Sequence, residues 1–151
     1  DERFRPAHER LTRLGKEEGV EFHFERIVRQ PNTLDAHRVI GWAEEAGKAA
    51  PVVENIMRAF FTEGKDLTDN DVLVEVASQN GLDADHVRRD LASERDLELT
   101  QKAAAAAADG GISGVPFFIF NSRFALAGAQ APEQIVSAID QALAAEEAAE
   151  T

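Results

Sequence analysis

Gly110-Gly111-Ile112-Ser113-Gly114-Val115-Pro116-Phe117-Phe118-Ile119-Phe120 joins the end of an alanine-rich segment to a wholly apolar run. The paired glycines read as a helix stop, and the apolar run reads as a strand with a proline at its first position. Proline cannot donate to a sheet ladder, so it sits at a strand start, an edge or a bulge. X-Pro is also the one bond at which a cis peptide is affordable, typically in a tight turn. A cis bond ahead of Pro116 would turn the Val115 N–H and C=O outward, where an extended polypeptide could pair with them as an added strand. An ordinary trans proline opening a strand is the plainer alternative.

Downstream, Asn121-Ser122-Arg123 is a turn, Phe124–Ala127 a second strand, and Gly128-Ala129-Gln130 a link to a helix opening at Pro132. That last helix is expected to bury Ile135, Val136, Ile139 and Leu143. Phe117–Phe120 is apolar on both faces, the pattern of a strand inside a sheet. One hairpin is marginal alone, and an uncovered apolar edge invites aggregation. A further strand is therefore expected, either from Val20–Val28 or from an upstream βαβ unit of about 30 residues.

Upstream, the pattern is helical. Phe4, Ala7, Leu11 and Leu14 fall at helical spacing, with Gly15 and Gly19 as stops. Val20–Glu25 alternates and reads as extended, with Phe22 and Phe24 on one face. Asn32 or Thr33 is the expected cap of a helix carrying Ala36, Val39, Ile40 and Ala43, ended by Gly47. Pro51 is placed to begin the next helix, whose stripe is Val52, Val53, Ile56, Met57, Phe60 and Phe61. Thr68 or Asp69 caps a helix with Val72, Leu73, Val76 and Ala77 inward, ended by Gly81. Asp83 opens a short helix with Val87 and Leu91. Ser93-Glu94-Arg95-Asp96 has the form of a capping box. The helix after it ends in Ala103–Ala108, where the alanines give helix propensity and a small-residue face able to lie close against a sheet.

Two segments in this order carry a resemblance over roughly residues 20–143: Pro31-Asn32-Thr33-Leu34-Asp35-Ala36-His37-Arg38, and the Gly-Val-Pro strand entry with its hairpin and closing helix. The chain resembles the DsbA-like, FrnE-type oxidoreductases and their relatives, the kappa-class glutathione transferases and 2-hydroxychromene-2-carboxylate isomerases. The resemblance implies an α/β, thioredoxin-like fold with an all-helical insertion: residues 1–109 the mainly helical region with its returning helix, residues 110–151 the C-terminal strand-strand-helix half. It implies thiol–disulfide exchange by a Cys-x-x-Cys pair. This chain has no cysteine, so that pair is expected N-terminal to it, and whether the chain itself is an enzyme stays open. Val115 and Pro116, with Gly114 allowing close approach, are then the substrate-contacting residues. Asn32 is a second substrate-binding candidate besides a cap, and His37 a candidate acid/base group besides a packing or surface residue. No cofactor is expected. The alternatives are a glutathione-dependent transferase or isomerase, which needs no protein cysteine, or a non-catalytic peptide-binding module. The expected partner is a thiol- or disulfide-containing protein, or a glutathione-like small molecule.

The remaining composition narrows the classes. With 151 residues and 44% hydrophobic content, the chain is large enough for one cored domain. A formal charge of −12 argues against nucleic acid or an anionic membrane as partner. No apolar run approaches a membrane span and no signal peptide is visible, so a soluble, cytoplasmic protein is expected. His8, His23, His37 and His86 are scattered without ligand spacing. Asp69-Asn70-Asp71 lacks the spacing of a calcium loop and reads as a helix N-terminus.

Overall fold

A computed structural model describes residues 4–149. Its elements are α1 (Arg5–Glu17), the 3-10 turn η1 (Phe24–Arg26), α2 (Leu34–Glu45), α3 (Ala49–Phe61), α4 (Asn70–Gln79), α5 (Ala84–Leu91), α6 (Leu97–Asp109), β1 (Phe117–Phe120), β2 (Phe124–Ala127) and α7 (Pro132–Ala149). The chain forms two compact units, Asp1–Lys102 and Ala103–Thr151, the division falling within α6. Among the described residues, no helix is long and apolar enough to cross a membrane.

In the first unit α2 packs on α3, α4 and α5. Their apolar stripes converge on Val39, Ala43, Val52, Leu73 and Ala77, which are shut from solvent. Burying a side chain such as Val39 or Leu73 contributes about 1.5–3 kcal/mol. The helix borders follow local chemistry. Asp69 accepts from the Asp71 N–H at the start of α4, and Asp83 from the His86 N–H at the start of α5. The stripe on α3 is narrower than its sequence suggests: Val52, Ile56 and Phe60 are buried, but Met57 is half-exposed. This helix also begins two residues before Pro51, which still falls in the first turn, where a missing N–H goes unnoticed.

A buried cation ties these helices together. Arg38, 3% exposed, donates from Nε to the Arg95 carbonyl at 2.8 Å. Its two terminal nitrogens reach the carbonyls of Asp90 (2.7 Å), Ser93 (2.8 Å) and Leu91 (3.4 Å) and the carboxylate of Asp35 (2.7 Å). The last carbonyls of a helix have no intrahelical partner and carry the negative end of its dipole. One guanidinium thus caps α5 and fixes the turn into α6.

That turn replaces the expected capping box. Asp96 takes a positive φ of 57°, α6 begins only at Leu97, and the Asp96 carboxylate instead accepts from Trp42 Nε1 at 2.9 Å. Ser93 accepts from the Arg95 N–H, which makes a local turn and leaves no side-chain cap on α6. Val20–Glu25 is likewise no strand. The His23 N–H donates to the Phe61 carbonyl at 2.8 Å, and Phe22 and Phe24 stack on one another at 5.2 Å and edge-on to Phe61. Clustering of the rings at the end of α3 bends the segment into η1. Gly15 lies within α1, not at its end, because a Cβ there would come within 2.6 Å of the Phe22 ring.

In the second unit β1 and β2 pair antiparallel, Phe117 opposite Ala127 and Phe120 opposite Phe124. Among the described residues this is the whole sheet. Phe118, Phe120, Phe124 and Leu126 share its more covered face, while Ile119 on the other is 59% exposed. The strand is half-buried, not enclosed, and α7 is the helix that packs on the hairpin among the described residues. That helix, α7, turns Ile135, Ala138, Ala142 and Ala145 inward and leaves Val136, Ile139 and Leu143 exposed. The small-residue face expected on α6 is thus used by α7, whose alanines allow close approach to the hairpin. The alanines of α6 itself are nearly all exposed, and they favour the helical conformation.

Arg38→Ala is expected to lower unfolding stability by about 1.5–3 kcal/mol, since it removes the charged donor shared by part-buried carbonyls and Asp35. Urea denaturation of the purified chain measures this, and a loss under about 1 kcal/mol would refute the role given to the guanidinium.

Candidate functional site

The approach to Pro116 is built from the end of α6. The Gly111 N–H donates to the Ala108 carbonyl and the Ile112 N–H to the Ala107 carbonyl, the paired bonds that close a helix around a left-handed residue; Gly111 has φ 85°. The chain then runs out through Ser113 and Gly114, both exposed. The Val115–Pro116 peptide is cis. Past it, the Gly128 N–H donates to the Pro116 carbonyl at 2.8 Å, and Gln130 Nε2 holds the Ala127 carbonyl at 2.7 Å. These bonds pin Pro116 and the end of β2.

Val115 is 90% exposed, an unusual position for a branched apolar side chain. Among the described residues neither its N–H nor its C=O has a hydrogen-bond partner. A donor and an acceptor therefore stand open at the head of β1, the requirement for binding an extended chain by its backbone. A Cβ on Gly114 would meet nothing within 4 Å, so this structure places no close neighbour there that requires glycine.

Asn32 and His37 belong to the other unit, at the entrance to α2. Thr33 is the cap position but makes no side-chain bond; Asn32 Oδ1 instead accepts from the Leu34 N–H at 3.0 Å. That leaves the Asn32 amide NH2 free to donate. His37 Nδ1 lies 2.7 Å from the Thr33 carbonyl. A carbonyl only accepts, so in the neutral ring Nδ1 carries the proton and Nε2 is the acceptor. Both side chains are exposed. The structure thus brings Asn32 with His37, and Gly114 with Val115 and Pro116.

A second concave feature escaped the sequence reading. A groove of about 1640 Å3 runs between α1 and the segment through η1, lined among others by Leu11, Phe24 and Val28. His8 lies flat on Phe24, centroids 4.2 Å apart and planes 6° apart. Glu25 at its edge is held below the ordinary carboxylate range, first by a backbone hydrogen bond and then by His23. Phe22 and Phe24 were the signal for it, but the alternating pattern pointed to a strand. Among the described residues no cluster of three or more His, Cys, Asp or Glu could hold a metal ion.

Comparison with known proteins fits this architecture. The sequence pattern of the DSBA-like thioredoxin domain matches residues 1–140. Among solved structures, the chain is similar to the crystal structure of a probable DsbA oxidoreductase from Streptomyces coelicolor, with 28% identity and a TM-score of 0.83. The match covers 95% of this chain and 62% of that one, so the chain spans under two thirds of that protein's length. No curated protein matches the chain.

Asn32→Ala is expected to cost about 0.5–2 kcal/mol through the lost bond to Leu34, whereas Asn32→Asp keeps an acceptor and loses little. Thermal unfolding of both variants checks this; equal losses would show that the side-chain oxygen does not support α2.

Proposed function

This chain belongs to the DSBA-like thioredoxin-domain family, and from that membership we propose that it is the substrate-holding portion of a thiol–disulfide oxidoreductase. The observation that carries the reading is the backbone of Val115, open on both its donor and its acceptor at the head of the hairpin. In this reading an extended segment of a disulfide-bearing protein lies along Val115 as an added strand. Backbone pairing gives affinity without demanding a particular substrate sequence. The reactive cysteines lie outside these 151 residues. A thiolate attacks the substrate disulfide, one sulfur leaves as thiolate, and a mixed disulfide forms; the second thiol then attacks it and releases reduced substrate, or the sequence runs in reverse. The residues of this chain supply no electrons. They hold the bound strand while sulfurs exchange, Pro116 fixing where it enters. Asn32 and His37, in the other unit, offer an amide donor and a ring-nitrogen acceptor of their own.

A second reading, a glutathione-dependent transferase or isomerase, is favoured by the lack of cysteine and by the free amide of Asn32. Glutathione itself would then bring the thiol, with Asn32 helping to hold it.

Amide shifts of the labelled chain test the two. A short extended peptide bearing a glutathione mixed disulfide at a central cysteine is expected to move the amides of Val115 and Phe117. Val115→Thr keeps the backbone and should change affinity by less than about twofold, while Val115→Pro removes the N–H and should weaken it about tenfold. Far-UV circular dichroism confirms that the variants fold. Unchanged affinity in Val115→Pro, or peptide-induced shifts confined to residues 32–37, would defeat the backbone reading, and shifts at 32–37 with reduced glutathione alone would favour the second.

A further inference from the structure

Asn80-Gly81 closes α4, and of the five asparagines Asn80 alone is followed by glycine. The glycine answers a backbone demand. Its φ is 79°. The Leu82 N–H donates to the Ala77 carbonyl and the Gly81 N–H to the Ser78 carbonyl at 2.9 Å, the paired bonds of a left-handed helix stop. The same demand puts the least hindered peptide nitrogen directly after a carboxamide. In an open chain that nitrogen attacks the carboxamide carbon readily, because glycine has no Cβ to obstruct the five-membered ring.

The folded helix end engages both reacting groups elsewhere. Asn80 Nδ2 donates to the Val76 carbonyl at 2.8 Å, and Asn80 Oδ1 accepts from Asn55 Nδ2 at 3.2 Å. The carboxamide is thus fixed at both ends and half-buried. The Gly81 nitrogen keeps its hydrogen in the bond to Ser78. Lys48 Nζ, at the start of α3, adds a tie to the Gly81 carbonyl at 2.8 Å. For ring closure the carboxamide must turn away from Val76 and Asn55, and the Gly81 N–H must leave Ser78. Those bonds are the last turn of α4 and its link to α3, so the reaction waits on their opening.

We propose that Asn80 is a site of spontaneous deamidation gated by opening of the α4 end, with Asn55 as the residue that keeps the gate shut. When the turn opens, a bond forms between the Gly81 nitrogen and Asn80 Cγ. The Cγ–Nδ2 bond breaks, and ammonia leaves with the proton of the Gly81 nitrogen. Water then opens the succinimide ring at one of its two carbonyls and gives isoaspartate or aspartate. Each event adds a negative charge that reclosing the helix does not remove, so the product records the time the α4 end has spent open. This chemistry is independent of the oxidoreductase reading.

The test incubates the purified chain in mildly alkaline buffer, folded and in concentrated guanidinium chloride. Tandem mass spectrometry reads Asn80 in the tryptic peptide Asp66–Arg88. Conversion should be at least about tenfold slower in the folded chain. Asn55→Ala removes one hydrogen bond from the carboxamide and should speed conversion of the folded chain about threefold, with no change in denaturant. Circular dichroism reports whether the variant folds; should it unfold, the ratio of folded to denatured rates in the unaltered chain still decides. The proposal is overturned if Asn80 converts equally fast folded and denatured, or if folded Asn55→Ala converts no faster than the unaltered chain.

Discussion

The helical unit depends on one buried guanidinium. Arg38 enters from α2 and satisfies carbonyls at the end of α5 and in the turn that follows. Burying a charge is costly unless every donor finds an acceptor. Here the acceptors are the Asp90 and Leu91 carbonyls at the helix end, those of Ser93 and Arg95 in the turn, and the Asp35 carboxylate. Trp42 completes the arrangement: Arg38 and Arg95 lie against its ring at 5.2 and 5.7 Å, and its N–H holds Asp96. The start of α6 follows from that geometry, and α6 leads to the glycine stop ahead of Val115. The constraint at Arg38 therefore belongs to the scaffold, while the functional candidates lie in exposed segments at the ends of helices and strands.

Most of the fold was legible in the sequence. Glycine stops, acidic caps and 3.6-residue apolar spacing placed the helices, and Pro116 with Asn121-Ser122-Arg123 placed the hairpin. These signals are local, so a sequence reading reaches them. What it missed is tertiary. Ser93–Asp96 has the residues of a capping box, but Asp96 is drawn to Trp42, fifty-four positions away in the chain. Val20–Glu25 alternates like a strand, but its phenylalanines find Phe61. On α7 the larger side chains seemed the natural inner face; the hairpin instead accepts the alanine face. Arg38 was visible only as part of a motif, because nothing local marks an arginine for burial.

The candidate site was legible to a different degree. Val115 and Pro116 were marked by chemistry that belongs to proline alone, and the structure shows an exposed, unpaired backbone at that point. Asn32 was read as a cap or a binder; its oxygen accepts from the Leu34 N–H at the start of α2. His37 offered no sequence clue to its tautomer, which the Thr33 carbonyl fixes.

If an extended substrate pairs with Val115, its amide must pass from solvent to a hydrogen bond. Hydrogen exchange at the Val115 amide, measured with and without a saturating disulfide-bearing peptide, reads that event at a single atom. Exchange should be fast in the free chain and slow by about tenfold or more when bound. Exchange at the same rate in both states, with the peptide demonstrably bound, would contradict the account.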